Sequence, residues 1–181
     1  MGDVSAWVAR FAGLIGPGEV LDLACGSGRH ARHLAALGHP VIALDREPAA
    51  LALAAGPGIT TLEHDLELPG ARWPFGPARF AGIVVTNYLH RALMAQLCAS
   101  LAPDGVLIYE TFALGNALFG KPSNPAFLLE RGELLAHART ANLQVLAYED
   151  GLVGAPKPAM LQRLCAGGPA FQTSNAVLGP A

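Results

Sequence analysis

Short apolar runs alternate along the chain with stretches in which apolar residues recur every three or four positions. The runs predict buried strands at 20–23, 41–44, 59–62, 80–86, 106–109, 143–149 and 160–166. The helical spacing predicts helices at 3–15, 29–37, 49–55, 94–101 and 132–141. Strands that alternate with helices are typical of an α/β fold with a parallel sheet.

Two segments fit neither pattern. Residues 112–130 carry three phenylalanines among glycines, prolines and asparagines, which is too irregular for a simple crossover helix. Long loops at the carboxyl edge of a sheet tend to be functional, so we interpret this one as a substrate lid. A loop that packs its own aromatic side chains is the alternative. The tail at 167–181 is small and polar, and we expect it to be frayed.

Composition supports one domain with a sheet that is buried on both faces. The 181 residues are 52% hydrophobic and only 14% charged. The formal net charge is −2, and lysine occurs only at Lys121 and Lys157, so the sequence carries no electrostatic footprint for nucleic acid.

The cysteines and the hydropathy indicate a compartment. Cys25, Cys98 and Cys165 have no paired spacing, and we see no signal peptide, so we expect a reducing cytoplasm. No apolar run approaches the ~18 residues that a membrane span needs.

Residues 20–45 form the stretch around which the chain is organised. They read as strand, glycine loop, helix, strand and carboxylate, which is the order of a nucleotide-binding βαβ unit. Gly26 and Gly28 would let the backbone approach a ligand closely. Asp45, at the tip of the second strand, can accept two hydrogen bonds from a ribose diol.

Two residues bear on which nucleoside binds. The third glycine of a G-x-G-x-x-G pyrophosphate loop is replaced by Ala31. Asp22 lies just before the loop, where a carboxylate would repel a diphosphate but attract an ammonium or sulfonium group. These features argue against a nicotinamide-dependent oxidoreductase, which remains an alternative.

The arrangement Asp22-x-Ala24-x-Gly26-x-Gly28 resembles motif I of the class I S-adenosylmethionine-dependent methyltransferases, with alanine at position 24 as a departure. The resemblance looks closest to the small bacterial, tellurite-resistance-like branch. It implies a Rossmann-like three-layer sandwich. Its seven-stranded sheet would be mostly parallel, with the last strand antiparallel and inserted between the fifth and sixth.

The same resemblance assigns cofactor contacts. Asp45 matches the ribose-binding acid, Asp65 the acid that bonds the adenine amine, and Leu66 the apolar residue that covers the ring. The full set of expected S-adenosylmethionine contacts is Asp22, Ala24, Cys25, Gly26, Gly28, His30, Asp45, Arg46, Asp65, Leu66 and Asn87.

Catalytic candidates follow the fourth strand. Asn87-Tyr88-Leu89-His90 is not the Asn/Asp-Pro-Pro-Tyr/Phe motif of the amide-methylating branch, which argues against methylation of nucleic-acid bases. Tyr88 could face the sulfonium. His90 could act as a base. Arg91 or Glu110 could orient a charged substrate, although a structural contact explains each of these residues as well.

We therefore expect an S-adenosylmethionine-dependent methyltransferase with an unidentified small-molecule acceptor. The alternatives are an NAD(P)-dependent oxidoreductase and a protein that binds S-adenosylmethionine without turnover. We expect no metal, because His30 and His33 lack a third ligand at suitable spacing.

Overall fold

The computed structural model describes residues 2–155 and 157–176. Within them the chain forms seven strands: β1 (Val20–Leu23), β2 (Val41–Asp45), β3 (Ile59–Glu63), β4 (Phe80–Thr86), β5 (Leu101–Phe112), β6 (Gln144–Val153) and β7 (Ala159–Gly167). The α-helices of the same residues are α1 (Ala6–Phe11), α2 (Arg29–Ala36), α3 (Pro48–Ala54), α4 (Met94–Ala99) and α5 (Glu133–Thr140).

The strands form one sheet in the order β3-β2-β1-β4-β5-β7-β6. Strands β1 to β5 pair in parallel, whereas β7 runs antiparallel to both β5 and β6. The predicted Rossmann-like α/β fold, with its last strand inserted between the fifth and sixth, is confirmed. The order reverses at β1, and open α/β sheets bind ligands beyond the carboxyl ends of the strands at this switch point.

Apolar side chains cover both faces of the sheet. Successive residues of each central strand point to opposite faces, as in Val106 and Leu107 of β5, which belong to two different hydrophobic clusters. Helices α1, α2 and α3 pack on one face, whereas α4 and α5 pack on the other. The three layers leave the carboxyl edge of the sheet open between them.

The N-terminal helix is shorter than the predicted 3–15. Helix α1 begins at Ala6 because the Ser5 hydroxyl accepts a hydrogen bond from the Trp7 N–H at 3.1 Å. After Phe11 the chain tightens into a 3₁₀ turn over Ala12–Leu14.

The fifth strand is longer than predicted. Residues 102–105, which carry the turn-forming Pro103 and Gly105, lie inside β5 as an irregularity, since Phe80 pairs with Leu101 and Gly82 already pairs with Val106. Residues 102–105 are accommodated as a bulge in the β4–β5 pairing and remain part of the strand.

The predicted tail is partly wrong. Gly167 belongs to β7, the Gly168 N–H donates to Gly105 O at 2.8 Å, and Phe171 is buried. Packing of Phe171 against the sheet therefore extends the domain past the last strand. Residues 177–181, and Pro156 of the loop before β7, lie outside the described residues.

None of the helices in the described ranges combines the length and the apolar character that a membrane crossing requires.

Gly28→Ala should lower the free energy of unfolding by at least ~2 kcal/mol. Gly28 has φ of +76°, and a β-carbon there would lie 2.6 Å from the Ala54 Cβ. The matched control is Gly26→Ala, with a φ of +52° and no atom within 4 Å of the added carbon, which should cost only about 1 kcal/mol. Urea unfolding measures both. Equal losses would show that α3 can move away from the loop.

Candidate functional site

A left-handed loop follows β1 at the switch point. Ala24, Gly26 and Gly28 have φ of 54°, 52° and 76°. This backbone turns the Gly26 N–H toward the Asp45 carboxylate, where it donates to Oδ2 at 2.7 Å. The second carboxylate oxygen accepts from the Glu47 N–H at 3.0 Å, so Asp45 ties the loop to the end of β2.

Next to Asp45 lies a cavity of about 170 Å³, which we call the first cavity. It brings together six of the residues predicted from the sequence. Sequence reasoning missed the others, although each is a neighbour in sequence of a predicted residue. The lining residues are Leu23, Ala24, Leu44, Asp45, Arg46, His64, Asp65, Leu66, Glu67 and Tyr88.

The far wall of the first cavity combines a carboxylate with apolar surface. The Asp65 carboxylate accepts from the Glu67 N–H at 2.9 Å, and Leu66 is buried beside it. Burial raises the pKa of Tyr88 to about 12, so its phenol stays protonated at neutral pH. The wall thus offers a flat apolar contact and a hydrogen-bond acceptor, which suits a heterocycle that bears an amino group.

Asp22 lies behind the loop at the end of β1. Its carboxylate is 1% exposed and accepts from the Ala31 N–H at 2.8 Å through Oδ2. Its other oxygen, Oδ1, is buried and has no hydrogen-bond partner among the described residues. Burial raises the pKa of this carboxyl from 3.8 to about 7.

Asp22→Asn should change how the stability of the ligand-free protein depends on pH. The folded pKa lies above the unfolded one, so this carboxyl stabilises the fold fully below pH ~4, and its contribution is lost as the pH rises toward 7. The amide does not ionise and keeps the acceptor for Ala31. The variant should therefore gain on the wild type, by a few kcal/mol in order of magnitude, between pH 4.5 and 8. A difference in unfolding free energy that stays constant with pH would contradict this.

His30 and Cys25 belong to the six predicted cofactor contacts that do not line the first cavity, the others being Asp22, Gly26, Gly28 and Asn87. His30 is buried, its Nε2 accepts from the Ser5 N–H at 3.2 Å, and its Nδ1 lies 3.3 Å from the Thr86 hydroxyl. Burial lowers the pKa of His30 to about 4, which keeps the ring neutral. Burial also raises the pKa of the Cys25 thiol to about 12, so this thiol stays protonated at neutral pH.

A second cavity, of about 260 Å³, opens on the other side of the β4 end. Asn87, which has φ of 55°, lines it, while the next residue, Tyr88, lines the first cavity. The segment at 112–130, predicted as a lid, supplies much of its wall. The lining residues are Asn87, Phe112, Asn116, Phe119, Lys121, Lys157, Pro158, Ala159 and Leu161.

Arg91 and Glu110, the two charged residues predicted to contact the substrate, form hydrogen bonds with other residues of the chain. The Arg91 guanidinium donates to both carboxylate oxygens of Glu133, at 2.7 and 2.9 Å, and to the carbonyls of Ala126 and Leu128. Arg91 therefore fixes the end of the 112–130 segment to α5.

Glu110 is similarly occupied. It accepts from the Ser5 hydroxyl at 2.9 Å and from the Arg163 Nε at 2.5 Å. His90 follows Tyr88 closely in the chain, but it lines neither of the two cavities.

The glycine loop after β1, the carboxylate after β2 and the antiparallel β7 together define a class I S-adenosylmethionine-dependent methyltransferase fold. The family model described as "Methyltransferase domain" matches residues 2–151, and the chain belongs to that family. No curated protein matches the chain significantly.

Solved structures agree with this fold. TehB from Haemophilus influenzae is 18% identical with a TM-score of 0.72, and the match covers 91% of this chain and 62% of TehB. A SAM-dependent methyltransferase from Methanosarcina mazei is 13% identical with a TM-score of 0.69, covering 92% and 99% of the two chains. The 1,6-didemethyltoxoflavin-N1-methyltransferase of Burkholderia thailandensis, with bound 1,6-didemethyltoxoflavin and S-adenosylhomocysteine, is 25% identical with a TM-score of 0.63, covering 90% and 76%.

Proposed function

We propose that the protein transfers the methyl group of S-adenosylmethionine to a small-molecule acceptor. The observation that carries this proposal is the pair of cavities on either side of Asn87 and Tyr88, at the switch point of a methyltransferase fold. One cavity would hold the adenosyl part of the cofactor and the other the acceptor. S-adenosylmethionine would supply an activated methyl group on a sulfonium, which needs little further chemical activation.

Two features of the structure fit the cofactor. A β-carbon at Gly26 would meet no atom within 4 Å, so the loop leaves open space where a ligand can approach the backbone. The unpartnered Asp22 Oδ1 gives a reason for positive charge to bind nearby. We assign Asp45 to the ribose hydroxyls and Asp65 and Leu66 to the adenine, with Arg46 and Tyr88 completing the wall.

The remaining predicted residues take different roles in this proposal. Asn87, at the boundary of the two cavities, would position the reacting groups. His90 remains the proposed base that takes a proton from the nucleophile, although it lines neither cavity. His30 and Cys25 support the loop from behind, and Arg91 is a positioning residue for the 112–130 segment.

Two further points concern the substrate and the compartment. The Burkholderia relative binds a small heterocycle, which supports a small-molecule acceptor for this chain. Cys25, Cys98 and Cys165 are free thiols, which supports a cytoplasmic location.

The Asp22 contact argues against the oxidoreductase alternative. The Asp22 carboxylate accepts from the Ala31 N–H in the first turn of α2, which is the position where a dinucleotide pyrophosphate would bind. None of the comparisons described above supports the alternative.

Thermal unfolding in parallel with S-adenosylmethionine, S-adenosylhomocysteine and NAD tests the proposal. At a hundredfold excess over its dissociation constant, a ligand of the native state adds about 2.7 kcal/mol, which is roughly 5–10 °C for a domain of this size. We expect both adenosyl ligands to produce this shift and NAD to produce none. A shift with NAD alone would overturn the proposal. Adenosyl binding with no turnover in an acceptor screen would favour the non-catalytic alternative.

A further inference from the structure

The two lysines of the chain, Lys121 and Lys157, line the same cavity. They are 36 positions apart in the sequence (157 − 121), one in the 112–130 segment and the other just before β7. The two segments lie close together, because a β-carbon at Gly120, the neighbour of Lys121, would lie 3.9 Å from the Lys157 Nζ, and both lysines are exposed. The fold thus gathers two separate positive charges at the second cavity.

A buried asparagine fixes the two lysine-bearing segments to each other. Asn116 is 2% exposed, its Nδ2 donates to Pro122 O at 3.0 Å, and its Oδ1 accepts from the Met160 N–H at 3.2 Å. One end of this side chain holds the residue after Lys121, and the other holds the start of β7. The wall that carries both ammonium groups is therefore built into the fold.

In the part of the chain that the structure describes, no carboxylate neutralises the positive charge of this wall. No acidic side chain is among the residues that line the second cavity, and neither lysine forms an ion pair there. By contrast, four of the ten arginines, Arg46, Arg79, Arg91 and Arg163, pair with glutamates. Two neighbouring ammonium groups without a carboxylate attract an anion.

Apart from Asn87 and Asn116, the rest of the second cavity is lined by apolar residues. Phe112, Phe119 and Leu161 line it, and its volume of about 260 Å³ is just below the ~300–1,000 Å³ typical of ligand pockets. We propose that the methyl acceptor is a small aromatic carboxylate. Its ring packs against the phenylalanines, and its charge lies between Lys121 and Lys157. This inference rests on the proposed function, because it takes the second cavity as the acceptor site.

Matched probes test the charge preference. 4-Hydroxybenzoate and 4-hydroxybenzamide have nearly the same shape and differ in charge at neutral pH. Calorimetric titration of each into the protein saturated with S-adenosylhomocysteine should show at least tenfold tighter binding of the carboxylate. The Lys121→Gln, Lys157→Gln double variant should lose this preference and bind the amide as before. Arg139→Gln, which removes one exposed positive charge outside the cavity, should change neither affinity.

Three outcomes would overturn the inference: equal affinity for the two probes, no carboxylate binding up to millimolar concentration, or a preference that survives in the double variant. Titration of S-adenosylhomocysteine into each variant separates this failure from failure of the proposed function. An unchanged cofactor affinity with no carboxylate preference would reject the aromatic carboxylate alone. If the wild type itself does not bind S-adenosylhomocysteine, the methyltransferase proposal is rejected.

Discussion

Asp45→Ala is expected to lower the affinity for S-adenosylmethionine at least tenfold. The carboxylate holds the Gly26 N–H at 2.7 Å and the Glu47 N–H at 3.0 Å, and it is the proposed acceptor for the ribose hydroxyls. Alanine removes all three interactions, and it leaves the part-buried Gly26 N–H without its partner, which costs about 1–3 kcal/mol of stability. Calorimetric titration gives the affinity, and urea unfolding gives the stability.

Glu47→Ala is the matched control for this prediction. Glu47 adjoins the same turn, but its side chain faces outward and accepts only from the Ala49 N–H at the start of α3, at 3.4 Å. Its loss should cost about 1 kcal/mol of stability and leave the cofactor affinity unchanged. Unchanged affinity in the Asp45 variant would refute the ribose assignment, whereas equal losses in both variants would point to a general loosening of the turn.

Trp7→Ala is expected to lower the free energy of unfolding by about 3–5 kcal/mol. Trp7 is 3% exposed, its ring centroid lies 4.7 Å from that of Phe11, and its Nε1–H donates to the Leu164 carbonyl at 3.2 Å. Alanine would leave a large cavity and remove the hydrogen bond to the Leu164 carbonyl of β7. Urea or guanidinium unfolding at constant pH measures the loss.

Two further variants frame this result. Trp7→Phe keeps most of the apolar contact and should lose clearly less stability than alanine. Leu53→Ala, on the outer surface of α3 where Leu53 is 65% exposed, should lie within about 0.5 kcal/mol of the wild type. If Trp7→Ala has the same free energy of unfolding as the wild type, packing of α1 does not stabilise the sheet, and α1 would then not hold Ser5 in its contacts with His30 and Glu110.

The sequence predicts well what is local in the chain. Strand β1, the glycine loop, α2 and β2 span only 26 residues, from 20 to 45, and each feature has its own chemical signature. Gly28 shows this well, because its left-handed backbone and its close approach to Ala54 explain why the motif needs glycine there. The position of β7 came from the resemblance and not from periodicity, since hydrophobic alternation does not specify which strands pair.

What the sequence does not predict depends on pairs that are distant in the chain. Arg91 and Glu133 are 42 positions apart. From the sequence alone, a guanidinium after β4 could equally contact the substrate or form an ion pair within the fold. His30 at the start of α2 could equally have faced the ligand, but its partner Ser5 lies 25 positions earlier. The juxtaposition of Lys121 and Lys157 likewise emerges only when β7 returns past the 112–130 segment.

The position of β7 also has a consequence for synthesis on the ribosome. Strand β6 pairs with β7 and, in the described part of the chain, with no other strand, so residues 144–153 cannot join the sheet before 159–167 have been made. The nascent chain therefore holds the outer edge of β5 and all of β6 unpaired until residues 159–167 have been made. Such edges invite pairing with other chains, so we expect this protein to need chaperone protection until β7 has been made.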